Sequence, residues 1–225
     1  MKKLVIAVDG PAAAGKSTAS KALAARLGYQ YIDTGALYRA VAWLADREGI
    51  VAAAPAVIGA RVRAADIGLE AAPQRPRVLV DGRDVSAEIR SERISQLSSQ
   101  LSALPEVRTA LLDLQRRLGA DGGVVMDGRD IGTVIFPGAD AKFFVSASSG
   151  VRAGRRHAEL RAKGLDADLE AVRAELEERD RRDAEREHAP LKAAADAVAI
   201  DTTDLDPEAV IAKMLAFVNA KLGAA

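Results

Sequence analysis

Residues Gly10-Pro11-Ala12-Ala13-Ala14-Gly15-Lys16-Ser17-Thr18 combine two glycines, a lysine and two hydroxyls in the spacing G-x-x-x-x-G-K-[ST]. Glycines let a backbone wrap tightly, so that successive N–H groups aim at phosphate oxygens. Lys16 is spaced to reach β- and γ-phosphates, and the Ser17 hydroxyl to touch Mg²⁺. The pattern is informative only between a strand and a helix. Both are predicted here: Leu4-Val5-Ile6-Ala7-Val8 reads as a buried strand, and residues 19–27 as an alanine-rich helix. The helix N-terminus adds its positive dipole end to the cradle. A nucleotide polyphosphate is the expected ligand.

Three further clusters could serve that chemistry. Asp127-Gly128-Arg129-Asp130 follows an apolar run, where an acidic residue can hold Mg²⁺ directly or through water. Asp127-Gly128 is equally a turn-forming pair, but burying two more charges beside it is costly without partners. Asp33 to Arg39 follows another short apolar run, with Thr34 read as a helix cap and Arg39 one turn further in. The densest charge run, residues 178–188, reads either as a solvated helix laced with pairs such as Glu175–Arg179 and Glu178–Arg182 or as a mobile lid. In favour of the lid, Arg179, Arg182, Asp183 and Arg186 share one helical face. Both sets would bring positive charge onto transferring phosphates, the second being Arg152, Arg155 and Arg156 at offsets 0, 3 and 4. Both histidines, His157 and His188, are expected to be exposed and not to bind metal.

These groups need elements to hold them. Strands are expected at 29–33, 124–127, 142–145 and 197–200, and helices at 34–48, 105–118, 150–164, 169–185 and 207–221. Trp43 reads as packing within the 34–48 helix, and Asp206 as the cap of the last helix, with Pro207 at its first position. Alternating strands and helices imply a parallel sheet, with ligands at the C-terminal strand ends. Asp33, Asp127 and Asp201 should therefore share a rim with the phosphate loop. Residues 50–90 break the rhythm. Short apolar pieces at 67–69, 78–80 and 85, punctuated by Pro73, Pro76 and Asp81-Gly82, predict a small antiparallel sheet with a hairpin. A helix is expected over 86–104.

Composition narrows the function classes. The 225 residues suit one large α/β domain with an inserted lobe, or two small domains. Lys plus Arg equals Asp plus Glu, at 32 each, which argues against bulk capture of nucleic acid or an anionic membrane. With no cysteine, disulfides, thiolate metal sites and thiol catalysis are excluded; a reducing cytosol is compatible. The first apolar run is too short for a signal-peptide core, and no stretch approaches a membrane span.

Taken together, GPAAAGKST (10–18), DTGALYR (33–39), DGRDIGTVIFP (127–137), ERDRRDAERE (178–187) and the following HAPL (188–191) resemble the bacterial cytidylate kinases. The resemblance runs over nearly the whole chain. It implies an α/β P-loop three-layer fold with a five-stranded parallel sheet, an inserted antiparallel lobe that binds the nucleoside monophosphate, and a helical lid. The implied division is one kinase domain, with core at about 1–40, 105–150 and 190–225, insertion at about 41–104 and lid at about 151–189. The implied reaction is transfer of the γ-phosphoryl group of ATP to CMP or dCMP, with Mg²⁺.

Residue by residue, the resemblance puts Gly10, Pro11, Ala12, Ala13, Ala14, Gly15, Lys16, Ser17 and Thr18 around ATP, with Arg155 as a lid contact to it. Family members often have Gly where Ser17 stands, with Thr next, so the Mg²⁺ hydroxyl is Ser17 or Thr18; Asp127 would act through water. Arg39, Arg129 and Arg186 resemble the CMP phosphate clamp, and Ser99, Arg108 and Asp130 the cytosine readers. Arg179 and Asp183 resemble the sugar contacts, and Thr34 and Tyr38 line the acceptor pocket. Lys16, Arg129, Arg179 and Arg186 are the expected catalytic set. Thr34 stands where Ser is common, with the hydroxyl retained. The implied partners are these small molecules, without nucleic acid or membrane, for a cytoplasmic monomer. Two rivals share the phosphate loop: a kinase acting on another nucleotide or a metabolite such as shikimate, and a nucleotide-regulated switch. A guanine-reading N-K-x-D is absent from the sequence.

Overall fold

The computed structural model of the chain describes residues 3–70 and 76–223; Pro73, expected to punctuate the small sheet, lies outside them. Two units are formed, Met1–Ile32 with Asp121–Ala225, and Asp33–Ala120.

The first unit is built on a five-stranded parallel sheet. Its strands are β1 (Val5–Asp9), β2 (Gln30–Asp33), β6 (Val124–Gly128), β7 (Ala141–Ser146) and β8 (Val198–Asp201), in the order β2-β6-β1-β7-β8. Val8 pairs with Asp127 and Phe143, and Ser146 with Asp201, so the C-terminal ends of β1, β6, β7 and β8 share one edge. Side chains alternate across a strand. Leu4, Ile6 and Val8 meet α1 (Lys16–Leu27) and α8 (Pro207–Gly223) in one apolar cluster with Phe143 and Met214. Each such fully buried side chain contributes about 1.5–3 kcal/mol. Asp206 caps α8, as expected, by accepting from Ala209 N at 2.8 Å. Helices α6 (Ser149–Ala162) and α7 (Leu169–Glu185) pair through Ala153, Leu160, Val172 and Leu176.

The second unit packs α2 (Thr34–Arg47), α4 (Glu92–Leu101) and α5 (Pro105–Gly119) around a core that includes Leu37, Val41 and Leu111. Trp43 packs against it, with the Arg47 and Arg83 guanidiniums over its ring. The antiparallel sheet forms as expected from β3 (Ile67–Glu70), β4 (Arg77–Val80) and β5 (Arg83–Asp84). Asp81 and Gly82 both have positive φ and make its two-residue hairpin turn.

Two local readings are corrected. A helix, α3 (Pro55–Ala64), precedes this sheet and had no expectation. Only Ile58 and Val62 supply large buried apolar side chains there, and Gly59 interrupts its helical propensity. Gly59 is needed for close packing: a Cβ there would come 2.6 Å from the Glu106 Cβ of α5. The helix expected over 86–104 is shorter. Ser86 lies in a turn after β5 and ties it to the sheet, its Oγ accepting from Val78 N and donating to Asp84. A 3-10 turn at Glu88–Arg90 follows, and Ser91 caps α4.

Candidate active site

The phosphate loop joins β1 to α1 through backbone that few residues tolerate. Gly10 has φ 147°, and a Cβ there would sit 1.9 Å from the Val145 carbonyl oxygen. Gly15 is left-handed, at φ 87°. Gly10→Ala should therefore push β7 away from the loop and cost roughly 1–3 kcal/mol, as overpacking does. We expect a lower melting temperature together with weakened ATP binding, read by calorimetry. An unchanged melt would mean the loop can relax.

Lys16 is buried and donates from Nζ to the Pro11 carbonyl at 2.6 Å. Burial, with Arg129 and Arg179 acting the same way, pushes its pKa down to about 7 against the pull of Asp127 and Asp9. The ammonium is thus held where its charge is costly, and an incoming anion relieves that cost. Ser17 donates to the buried Asp127 carboxylate at 2.6 Å. A hydroxyl and a carboxylate oxygen at this spacing are hard donors of the kind Mg²⁺ takes, and Mg²⁺ usually needs few protein ligands beside substrate phosphates and water. Among the described residues no group of three or more acidic or imidazole side chains could hold a metal by itself. The donors present therefore fit a magnesium brought in with a nucleotide.

Asp9 had no expected role. Its buried carboxylate accepts from Ile131 N and Gly132 N at 2.8 and 2.7 Å, tying the end of β1 to the π-helical turn Ile131–Ile135 after Asp130. Burial raises its pKa to about 6. The visible signal was an acidic residue immediately before Gly10.

The arginines turn inward. Arg129 donates through Nε to Asp183 at 2.8 Å and through Nη1 to Gly128 O. Arg186, which is buried, lies 3.7 Å from Asp183 and 3.9 Å from Asp130. Its Nε donates to Ala189 O at 2.7 Å, and Leu191 N to Asp183 O at 2.7 Å, so 188–191 folds back on the end of α7. Burial works against the Asp183 charge, but Arg129, Arg179 and Arg186 hold its carboxyl below the usual range. Burial likewise opposes the Arg129 charge, and Asp183 outweighs it. The result is a carboxylate-compensated ring of guanidiniums at the same sheet edge as the loop.

A cavity of about 500 Å³ opens beside the loop, lined by Ala13 to Ala19, by Arg155 and Arg156, and by Thr202, Leu205 and Pro207. Arg155 donates to the Thr202 hydroxyl at 2.9 Å and to its carbonyl at 2.8 Å. Thr18 also lines this cavity. In the second unit the Arg108 guanidinium lies 5.5 Å from the centre of the Tyr38 ring. Arg39 pairs with Asp33 at 2.7 Å. Thr34 and Ser99 are buried, and the Ser99 hydroxyl has no hydrogen-bond partner.

Three expectations change. Asp33, rather than Thr34, caps α2 by accepting from Ala36 N. Asp201 lies on the expected edge, but its carboxylate accepts from Thr203 and is occupied by its own turn. His157 is half-buried because its Nε2 reaches the Ala167 carbonyl at 3.0 Å; a carbonyl only accepts, so the ring nitrogen donates. His188 is exposed as expected.

With this geometry established, comparison with known proteins is decisive. The family model described as cytidylate kinase matches residues 6–220. The chain belongs to the cytidylate kinase family. Among its relatives, the cytidylate kinase of Geobacter sp. (strain M21) is 51% identical over 219 residues, covering 97% of this chain and 94% of that protein. The cytidylate kinase of Citrifermentans bemidjiense is 50% identical over 219 residues, with the same coverage of 97% and 94%. A solved shikimate kinase from Acinetobacter baumannii, in complex with shikimate, superposes with a TM-score of 0.51 at 14% identity, covering 97% of this chain and 94% of that one. That likeness is of fold alone. Cytidylate kinases and this more distant kinase therefore share an architecture, and the family match separates them. Among the described residues no helix is long and apolar enough to cross a membrane.

Proposed function

We infer that the protein transfers the γ-phosphoryl group of ATP to CMP or dCMP, giving ADP and CDP or dCDP. It is an ATP-dependent nucleoside monophosphate kinase. The observation that carries the reading is the ring of inward-facing arginines, compensated by Asp183, on the sheet edge that holds the phosphate loop. The acceptor is a phosphate monoester, already largely deprotonated near neutral pH, with a second pKa of about 6. Transfer to it therefore needs no strong base. It needs two polyanions held together and their charge neutralised.

Within this reading Lys16 and the loop amides hold the ATP phosphates, and the cavity beside Arg155 takes the rest of that nucleotide. The Ser17 hydroxyl, with Asp127 through water, would hold Mg²⁺, which when bound would supply charge neutralisation at the phosphates. Ser17 is favoured over Thr18 as its hydroxyl, because Ser17 already faces Asp127. Arg129 and Arg186 would grip the acceptor phosphate, and Arg179 would neutralise charge between the two nucleotides. Asp183, with Arg179, would meet the sugar hydroxyls. Arginine forks suit such planar oxygen arrays better than lysine.

Asp130, Arg108 and Ser99 are read as the cytosine contacts, and Thr34, Tyr38 and Arg39 as contacts to the acceptor. Cytosine offers an amino donor, which a carboxylate accepts. Uracil would set a carbonyl against it, a penalty of roughly 1–3 kcal/mol. Helices α6 and α7 act as the lid that excludes water. The balanced charge fits small-molecule rather than bulk polyanionic partners, and a cytoplasmic monomer is part of this reading.

A coupled ADP assay with a panel of acceptors tests the assignment. ATP consumption should depend on CMP or dCMP and exceed that with UMP, AMP or shikimate by roughly tenfold or more. Equal rates with and without CMP would reject it.

A further inference from the structure

Arg152 was expected, from its spacing with Arg155 and Arg156, to offer positive charge to phosphates. Its side chain is instead enclosed, with three partners on three elements. Nε donates to the Ala147 carbonyl after β7 at 3.0 Å. Nη1 donates to the Ala12 carbonyl of the phosphate loop at 3.3 Å, and lies 2.5 Å from the Asp180 carboxylate of α7.

Two features of the surroundings give these contacts weight. First, the peptide bonds of the described residues are trans, so a carbonyl and the next N–H point in opposite directions. Holding the Ala12 carbonyl turns the Ala13 N–H the other way. The same device recurs along the loop: Lys16 holds the Pro11 carbonyl at 2.6 Å, and the Thr202 hydroxyl donates to the Ala14 carbonyl at 3.0 Å. The amide nest is thus oriented by donors that grip its carbonyls.

Second, the buried apolar residues of α7, Val172 and Leu176, lie before its last nine residues. The part bearing Arg179, Arg182 and Asp183 has no such anchor. Polar contacts must hold it, and Arg152–Asp180 lies next in sequence to Arg179.

We propose that Arg152 is a positioning residue that clamps the Ala12 peptide of the phosphate loop and Asp180 of α7 together. An ordered loop and a correctly placed Arg179–Asp183 segment then occur together. The proposal rests on the reading of α7 as the lid over the nucleotides.

Hydrogen exchange of α7 with and without MgATP, in the absence of any acceptor, tests it directly. In the wild type, MgATP should slow exchange across 177–185. In Arg152→Met, ATP still binds, several-fold more weakly, but that slowing is lost. Asp180→Asn keeps the contact to Ala12 and loosens only α7: ATP affinity stays near the wild-type value while the slowing is again lost. With CMP present, each variant should lose about 10- to 100-fold in kcat, the scale of a small misplacement. Because the two residues act as one unit, the double variant should be no worse than Arg152→Met alone. Arg152→Lys, which keeps the charge but not the fork, should recover part of the loss.

ATP-induced slowing that survives in both single variants would overturn the clamp, as would kinetic losses that multiply in the double variant. Should Arg152→Met not fold, Asp180→Asn alone decides by the same exchange measurement. Failure of the substrate reading looks different: no CMP-dependent turnover in the wild type, with its ATP-induced slowing intact.

Discussion

Lys16→Ala should lower kcat at least about a thousandfold, the scale seen when a preorganised charge is removed from a transition state. The fold should remain intact. In this pocket the ammonium is buried and donates to the Pro11 carbonyl, and a water taking its place would bring no charge to meet the moving γ-phosphoryl group. The same burial makes the side chain a liability to the folded state, since its pKa falls to about 7 from an ordinary 10.5. The folded protein therefore binds fewer protons than the unfolded chain between those pH values, and wild-type stability rises with pH across that window. The alanine variant lacks this dependence. It should match or exceed the wild type in thermal melts near pH 7, and its relative advantage should shrink toward pH 10. A coupled ADP assay with CMP gives the first result and melts at the two pH values the second. Turnover close to wild type would remove Lys16 from the phosphate cradle.

Asp183→Ala should damage stability and activity together. The carboxylate is buried, and it faces Arg129 at 2.8 Å and Arg186 at 3.7 Å. Breaking a buried pair leaves its cations uncompensated, at about 3–5 kcal/mol. The guanidiniums would then move apart or draw in water, and kcat should fall by about a hundredfold or more. Turnover of CMP and dCMP should be affected unequally, because the carboxylate is read as a contact to the sugar hydroxyls.

The acid limb of stability carries the same signature. The folded pKa of Asp183 lies below its ordinary value. Its contribution is therefore present above about pH 4, the ordinary Asp range, and is lost as pH falls through the lower, folded value. Urea unfolding at pH 7 and pH 3 should show a large gap between wild type and variant at pH 7 and a smaller one at pH 3. A wild-type midpoint at pH 7 with an unchanged CMP-to-dCMP ratio would sink both assignments.

Much of this architecture is legible in the chain because its signals are local. The strand, glycine loop and helix at 5–27 are contiguous, and each is specified by its own period and turn residues. The hairpin at Asp81-Gly82 needs only two residues that accept positive φ. Helix α3 escaped because its reason to exist is a neighbour: Gly59 lets it approach Glu106 of α5, and no periodicity within 55–64 announces that. His157 escaped similarly, since its partner is a carbonyl ten residues away in the turn between helices.

Charge is where reading along the chain stops. Helical spacing put Arg152, Arg155 and Arg156 in one set, and Arg179, Arg182, Asp183 and Arg186 in another; in the structure Arg186 meets Asp183 while Arg182 pairs with Glu178. Spacing could not say that Arg152 turns into the protein to meet Asp180 and Ala12 while Arg155 faces the cavity beside the phosphate loop.

The amino-acid order by itself determined the phosphate loop, the strand–helix alternation, the inserted antiparallel sheet and the family, because motif spacing and side-chain period act over a few residues. Only the tertiary structure decided which carboxylate neutralises which guanidinium. Arg129 and Asp183 are 54 residues apart, and Asp9 grips amides 122 and 123 residues away. Such pairings depend on which elements meet, and in a buried site a charge takes whichever partner the packing brings within reach.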